Sequence, residues 1–198
     1  MKVLILSPYS EKLIPVIKSS GDSYIVSESQ IDLDFCIFNE IQFIVSYGFR
    51  YLISKEICDY FPLKVINLHI SYLPFCKGAH PVFWAIAENN IMGVTIHLVD
   101  KGLDTGNILF QKEINYLKDS DTFLSAHNIF SLEIENLFNI NWKYIRNAEN
   151  KGSIQNGEGS FHRKKDIEKM KKYLPYSWET SIKEFYKLSG KKNYYKLS

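Results

Sequence analysis

The stretch from Val65 to Gln111, VINLHISYLPFCKGAHPVFWAIAENNIMGVTIHLVDKGLDTGNILFQ, limits what this chain can become more than any other part of it. It opens on VINLH, a short apolar run of strand type, and strand side chains alternate between faces with a period of two. Asn67 and His69 therefore emerge on the same face, so that an amide and an imidazole point at one spot. Farther on, GVTIHLV and NILF read as two alternating apolar runs. The Gly-flanked loop GLDTGN between them can aim Asp104 without giving it a place in the core.

An amide, an imidazole and a carboxylate make sense together as a set for acyl transfer. When an amine attacks a carbonyl or formyl carbon, negative charge develops on the oxygen, where a donor amide and an imidazolium stabilise it. The carboxylate keeps the imidazole protonated and takes or relays the proton that the amine must lose. No serine or cysteine nucleophile is needed. A zinc site built from His69, Cys76, His80 and His97 is the competing reading, but it lacks the close ligand spacings of such sites, and no metal is expected.

Taken in register, N-x-H-x-S-x-L-P from Asn67, K-G-x-H-P from Lys77 and G-V-T-I-H-x-V-D-x-G-L-D-T-G from Gly93 closely resemble the folate-dependent formyltransferase family. That family includes glycinamide ribonucleotide, methionyl-tRNA and nucleotide-sugar N-formyltransferases. The resemblance runs roughly from Ser46 to Ile114. It implies that Asn67, His69 and Asp104 are the catalytic residues and that 10-formyltetrahydrofolate is the formyl donor. It also implies a pteridine pocket lined by Tyr51, Leu52 and Ile53, largely through their backbone, and by Val99 and Asp100. His97 falls where the family usually carries a histidine in a supporting role. The fold implied is an α/β Rossmann-like formyltransferase domain, a mostly parallel sheet flanked by helices, with a short C-terminal appendage.

The rest of the chain agrees with an α/β class. Lys2 to Leu6 is a continuous apolar run of buried-strand type, followed by a short helix over Glu11 to Lys18 that Pro15 weakens. Ser23 to Val26, Phe35 to Phe38 and Phe43 to Val45 read as further strands, and short intervening segments favour a largely parallel sheet. Pro81 is suited to the first position of the helix VFWAIAEN. A long helix is expected from Ser120 to about Arg146, capped by Ser120 or Asp121, with Phe123, Phe130 and Leu137 on one stripe and Ile134, Phe138 and Ile145 on the next. The Asn/Gly/Ser/Gln-rich segment Ala148 to Ser160 marks a boundary, giving a catalytic domain over residues 1–147 and an appendage over 148–198.

Composition excludes several classes. With a formal net charge of +2 over 198 residues, nothing global calls for nucleic acid or an anionic membrane. Three scattered cysteines without a CxxC pair favour a reducing compartment, and the five-residue apolar run before Pro8 is too short for a signal core or a span, so a cytoplasmic protein is expected. The segment S-P-Y-S-E-K-L after the first strand lacks the G-x-G-x-x-G of a dinucleotide site. It also lacks the Gly-Ser-Asn phosphate loop of the glycinamide ribonucleotide enzymes.

These features favour an amino-deoxy sugar on a nucleotide, such as dTDP-4-amino-4,6-dideoxyglucose made for surface polysaccharide, as the acceptor. The chain is also too short for the extra tRNA-binding domain of methionyl-tRNA enzymes. Lys77 and His80 are the polar loop candidates for contact with the acceptor. G-x-x-H-x-x-x-D at Gly159 resembles the tail of small nucleotide-sugar formyltransferases and adds His162 and Arg163. Glycinamide ribonucleotide formylation and a non-catalytic nucleotide-sugar or folate binding module are the alternatives. Tyr173, Leu174, Trp178, Phe185 and Tyr186 crowd a tail too small to bury them alone, which predicts packing on the main domain or on a second copy in a homodimer.

Overall fold

Residues 1–192 are described by the structure, a computed structural model; the last six residues of the expected appendage lie outside them. The chain begins with β1 (Lys2–Leu6), α1 (Ile14–Ser19), β2 (Ser23–Ser27), α2 (Leu33–Phe38), β3 (Phe43–Tyr47), α3 (Lys55–Tyr60) and β4 (Val65–His69). It continues through the short β5 (Lys77–Gly78), α4 (Pro81–Ala87), β6 (Gly93–Leu98), β7 (Ile108–Glu113) and α5 (Phe123–Ile145). After these come β8 (Phe161–His162), a 3-10 helix (Lys164–Tyr173) and α6 (Ile182–Ser189).

Six strands form one mixed sheet in the order β2-β1-β3-β4-β6-β7, flanked by helices. Pairings β1–β2, β1–β3 and β3–β4 are parallel, whereas β6 runs antiparallel to β4. The central strands need apolar side chains on both faces, and β1 and β3 meet that need: Val3 to Leu6 and Phe43 to Val45 have no exposed surface. β5 and β8 form a separate two-stranded parallel pair, Lys77 opposite Phe161 and Gly78 opposite His162.

By contacts the chain groups into two compact units. The first comprises residues 1–69, 95–111 and 134–155. Its core is the cluster of Leu4, Leu6, Cys36, Ile41, Ile44, Ile57, Phe61 and Val65. On α5 within this unit, Ile134, Phe138, Trp142 and Ile145 are buried, and Trp142 meets Phe43 edge-on at 5.2 Å. The second comprises residues 70–94, 112–133 and the chain from 156 on. Its core is aromatic: Phe83, Phe123 and Phe185 lie 5.1–5.5 Å apart, with Leu174 and Tyr186 also buried. Of the large tail side chains expected to need cover, Phe185 is covered completely and Leu174 and Tyr186 nearly so inside this unit, whereas Trp178 stays partly exposed.

Three expectations are corrected. Phe35 to Phe38 is not a strand but the end of α2, because the Asp32 side chain accepts the Phe35 N–H at 2.8 Å and caps a helical turn. Only Cys36 of that turn is buried, while Phe38 is 87% exposed. The cap of α5 is neither Ser120 nor Asp121 but Thr122, whose Oγ1 accepts from Ser125 N while Ser125 Oγ accepts from Thr122 N, both at 3.0 Å. Along α5 the buried positions are Phe123, Ala126, Phe130, Ile134, Phe138, Trp142 and Ile145, at helical spacing; Leu137, one position off that stripe, is only half-buried.

In the first unit Asp22 fastens β2 to α5. Its buried carboxylate accepts from Arg146 Nε at 2.9 Å and Nη2, from Trp142 Nε1 at 3.3 Å and from the Met1 amine at 2.8 Å. Burial alone would raise its pKa, but Arg146 and the amine outweigh that and hold it below the usual carboxylate value. The folded pKa is the lower one, so the stabilisation is complete above the unfolded value of ~3.9 and drains away as pH falls through the folded value. Asp22→Asn should cost about 2 kcal/mol at neutral pH and flatten the acid loss of stability. Urea unfolding followed from neutral to acid pH measures both, and an unchanged acid limb in the variant would assign it to other carboxylates.

Candidate active site

Strand periodicity and sheet register build the site in the first unit. Asn67 and His69 leave β4 on one face, and the antiparallel pairing with β6 sets Asn67 directly opposite His97 and His69 opposite Thr95. Ser46 of β3 continues the row on the other side of Asn67. A polar row crosses the sheet here, with His69, His97, Thr95 and Ser46 all buried.

Asp104 completes the row. Its Oδ1 accepts from Asn67 Nδ2 at 3.3 Å and lies 3.5 Å from His97 Nε2, and its Oδ2 lies 3.7 Å from His69 Nδ1. His97 Nδ1 is 2.7 Å from the Leu98 carbonyl, which can only accept, so Nδ1 carries the hydrogen and Nε2 faces Asn67 Nδ2 at 3.3 Å. The three residues expected from the sequence are brought together, and the histidine expected in support touches two of them.

The loop holding Asp104 is closed by its own residues. Asp100 Oδ1 accepts from Gly102 N at 2.9 Å and from Thr105 Oγ1 at 2.6 Å. Asp104 adopts φ 55°, the left-handed region that costs an L residue energy. A Cβ on Gly102 would lie 2.0 Å from Thr105 Oγ1, and one on Gly106 would lie 1.8 Å from the Leu98 carbonyl oxygen. Beyond the loop, Gln155 Nε2 donates to the carbonyls of Asp104 at 2.9 Å and Gly106 at 2.8 Å, contacts that no motif announced.

Among the residues expected to line the folate pocket, Tyr51 and Leu52 are exposed, Tyr51 lying 5.5 Å from Phe49, while Ile53 and Val99 pack against the first unit's core. Val99 N also donates to the Val65 carbonyl at 2.9 Å. Asp100, as described, bonds within the Asp104 loop.

The residues expected at the acceptor lie in the second unit. Lys77 sits in β5, its N–H donating to Ser160 O at 2.9 Å. His162 stacks on Trp84 at 3.9 Å and meets Glu88 at 3.2 Å, and Arg163 is exposed at the start of the 3-10 helix. His80 precedes α4 with φ 55° and lines a cavity of about 350 Å³ with Ile70, Pro81, Phe83, Phe123 and Trp178. Its ring lies 5.5 Å from that of Trp178, and burial, then Lys164 and Lys171, push its pKa below the usual value. Trp178 entered the sequence reading only as a packing residue.

Cys76 is buried beside Asn90 and Ser160, and burial pushes its thiol up to about 11, which favours the protonated form at neutral pH. Among the described residues no group of three or more His, Cys, Asp or Glu is placed to hold a metal ion. Nor is any described helix long and apolar enough to cross a membrane.

Known proteins give this arrangement a family. Residues 38–133 match the formyl transferase family. The formyltransferase PseJ from Anoxybacillus kamchatkensis, solved with UDP-4,6-dideoxy-4-formamido-L-AltNAc and tetrahydrofolate, is 38% identical with a TM-score of 0.88, covering 93% of this chain and 97% of that one. A sugar N-formyltransferase from a Shewanella species shares the fold at 20% identity, TM-score 0.73, with 93% of this chain and 85% of that one covered. The methionyl-tRNA formyltransferase of Thermodesulfovibrio yellowstonii is 39% identical over 105 residues, which is 52% of this chain but only 31% of that protein's length. A cluster of amide, imidazole and carboxylate on this sheet, with a relative matched nearly end to end, means that the chain belongs to the formyltransferase family.

Proposed function

We propose that this chain transfers a formyl group from 10-formyltetrahydrofolate to the amino group of a nucleotide-linked amino-deoxy sugar, with UDP-linked 4-amino-4,6-dideoxy sugars as the first class. One observation carries the acceptor class: the 38% identity to PseJ, which extends over 97% of that chain. The dTDP-linked sugar expected from the sequence differs in base and sugar but asks the same chemistry of the site. Short of that breadth, the likeness to methionyl-tRNA formyltransferase covers 31% of the enzyme's length.

The donor set fits folate-dependent formyl transfer: one cluster presents amide N–H groups, an imidazole and a carboxylate. When bound, 10-formyltetrahydrofolate supplies the electrophilic formyl carbon. Asn67 and His69 would stabilise the formyl oxygen as it gains charge, and Asp104 would take the proton that the attacking amine sheds and return it to the folate nitrogen as the bond from that nitrogen to the formyl carbon breaks. An Asn67 N–H points at Asp104 Oδ1, a bond that would weaken once the carboxylate took up a proton and so would leave the amide free to donate elsewhere in the site. His97, fixed through Nδ1 on Leu98, keeps Asn67 and Asp104 in register. Tyr51, Leu52, Ile53 and Val99 face the pteridine in this reading, and Asp100 serves it by holding the loop.

For the acceptor, the cavity at His80 and Trp178 suits a nucleobase: its volume of about 350 Å³ is that of a small-ligand site, and its aromatic walls offer stacking faces. Lys77 and Arg163 then meet the diphosphate, and His162 acts by ordering Trp84 and Glu88. Glycinamide ribonucleotide is disfavoured by the loop after β1. There Tyr9 packs on Tyr47 at 5.4 Å, and Tyr9 N is taken by Ser7 Oγ at 2.9 Å. Pro8 supplies no N–H, so an anion finds few open donors.

Two outcomes are expected. With 10-formyltetrahydrofolate and a panel of amines, mass spectrometry should find a formyl group added to a UDP- or dTDP-linked amino sugar and none on glycinamide ribonucleotide or methionyl-tRNA. Formylation of either of the last two would overturn the acceptor assignment. In kinetics, Asn67→Ala and His69→Ala should each lower kcat by about 10²–10³, while Trp178→Ala should raise KM for the sugar nucleotide more than it lowers kcat. Full turnover in the Asn67 and His69 variants would remove the catalytic assignment.

A further inference from the structure

We propose that Gln155 is a positioning residue for Asp104: one carboxamide, arriving from the segment after α5, fixes the loop from which the proton-accepting carboxylate projects. The inference rests on Asp104 being catalytic.

The geometry is specific to a primary amide. Both hydrogens of Gln155 Nε2 are used, one on the Asp104 carbonyl at 2.9 Å and one on the Gly106 carbonyl at 2.8 Å, so the clip spans Thr105 from either side. Carbonyl oxygens only accept, so Nε2 and not Oε1 must face them. This orientation leaves Gln155 Oε1 buried with no hydrogen-bond partner among the described residues, a cost that the two bonds must outweigh.

The chain leading to Gln155 is itself tied down by hydrogen bonds. Ile108 at the start of β7 exchanges two backbone bonds with Ser153, at 2.8 and 2.9 Å, and Asn107 Nδ2 donates to Lys151 O at 2.8 Å. Between them Gly152 turns at φ 67°, where a Cβ would meet Ile108 O at 2.7 Å. Two residues past that bridge the chain presents Gln155.

The loop needs an outside hold because of what it must do. Asp104 sits in the left-handed region, φ 55°, and its carboxylate lies at 3.3–3.7 Å from Asn67, His97 and His69. The loop's own clasp, Asp100 on Gly102 and Thr105, grips the chain before Asp104 and just after it. Gln155 grips the backbone at Asp104 itself. Without it the carboxylate drifts, and an error of about 1 Å in a reacting group costs on the order of 10²-fold in rate.

The test compares Gln155→Met, which keeps the bulk and removes the donors, with Gln155→Glu, which sets an acceptor-only group against two carbonyls. Asp104→Asn is the control. Steady-state kinetics with donor and acceptor, thermal unfolding and hydrogen exchange of the 104–107 amides are measured on each. For Gln155→Met we expect kcat down roughly 10–100-fold with both KM values within about threefold, an unchanged melting temperature and faster exchange confined to that loop. Gln155→Glu should be slower still. Wild-type kcat in Gln155→Met, or a raised KM with kcat intact, overturns the positioning role. If Gln155→Met melts early, Gln155→Asn decides: it keeps the amide but shortens its reach, and full kcat there also overturns the role. An active Asp104→Asn would instead remove the catalytic reading on which the proposal stands.

Discussion

A carboxylate that keeps only 9% of its surface must be met by donors or it will not stay charged. Asp104 accepts from the Asn67 amide at 3.3 Å and lies 3.5–3.7 Å from two imidazoles, and most of the first unit can be read as the frame that this cluster requires. The amide and one imidazole come from β4, the other imidazole from β6. Backbone register sets where those side chains stand, since slipping either strand by one residue would turn them to the opposite face. The register in turn depends on β1 and β3, whose apolar residues are buried without exposure and leave β4 little freedom to shift.

Much of this could be read from the chain. Period two placed Asn67 and His69 together, and the glycine-flanked turn between two strand-like runs gave Asp104 its loop. Pro81 marked the start of α4, as the structure has it. What failed was local. FCIF has strand composition, but one Asp32 carboxylate on the Phe35 amide is enough to set a helical turn, and a cap three residues upstream outranks the propensity of so short a run. At α5 the sequence D-S-D-T offered several capping side chains in succession; which one bonds depends on where the chain arrives, and the reciprocal bonds fall on Thr122 and Ser125.

Other parts were illegible for a different reason. Gln155 meets Asp104 across 51 residues through a side chain bonding to backbone carbonyls, and such a bond imposes no periodicity and no motif on either segment. The aromatic tail was legible as something that must be covered but not as to its cover. Phe185 lies edge-on to Phe83 and Phe123 at 5.3–5.5 Å, all within the second unit, so its burial is met by one chain. Trp178 was counted with these residues, yet it is 36% exposed and borders the cavity at His80, a distinction that apolar character alone does not draw.

The loop shows why a spaced motif is a physical requirement. In D-x-G-L-D-T-G, Asp100 can bond the Thr105 hydroxyl only if the chain between them folds back tightly, and a side chain at 102 would occupy the hydroxyl's place. At 106 the backbone must pass against the Leu98 carbonyl so that β6 can leave and β7 return; Leu98 N taking the Asn107 carbonyl at 2.9 Å closes that gap. The two glycines, the aspartate and the threonine are therefore one device, and its product is a left-handed residue at 104 whose carboxylate faces inward. The catalytic assignment depends on residues that touch no substrate in this reading, which is why Asp100, expected at the folate, has its clearest role in holding Asp104.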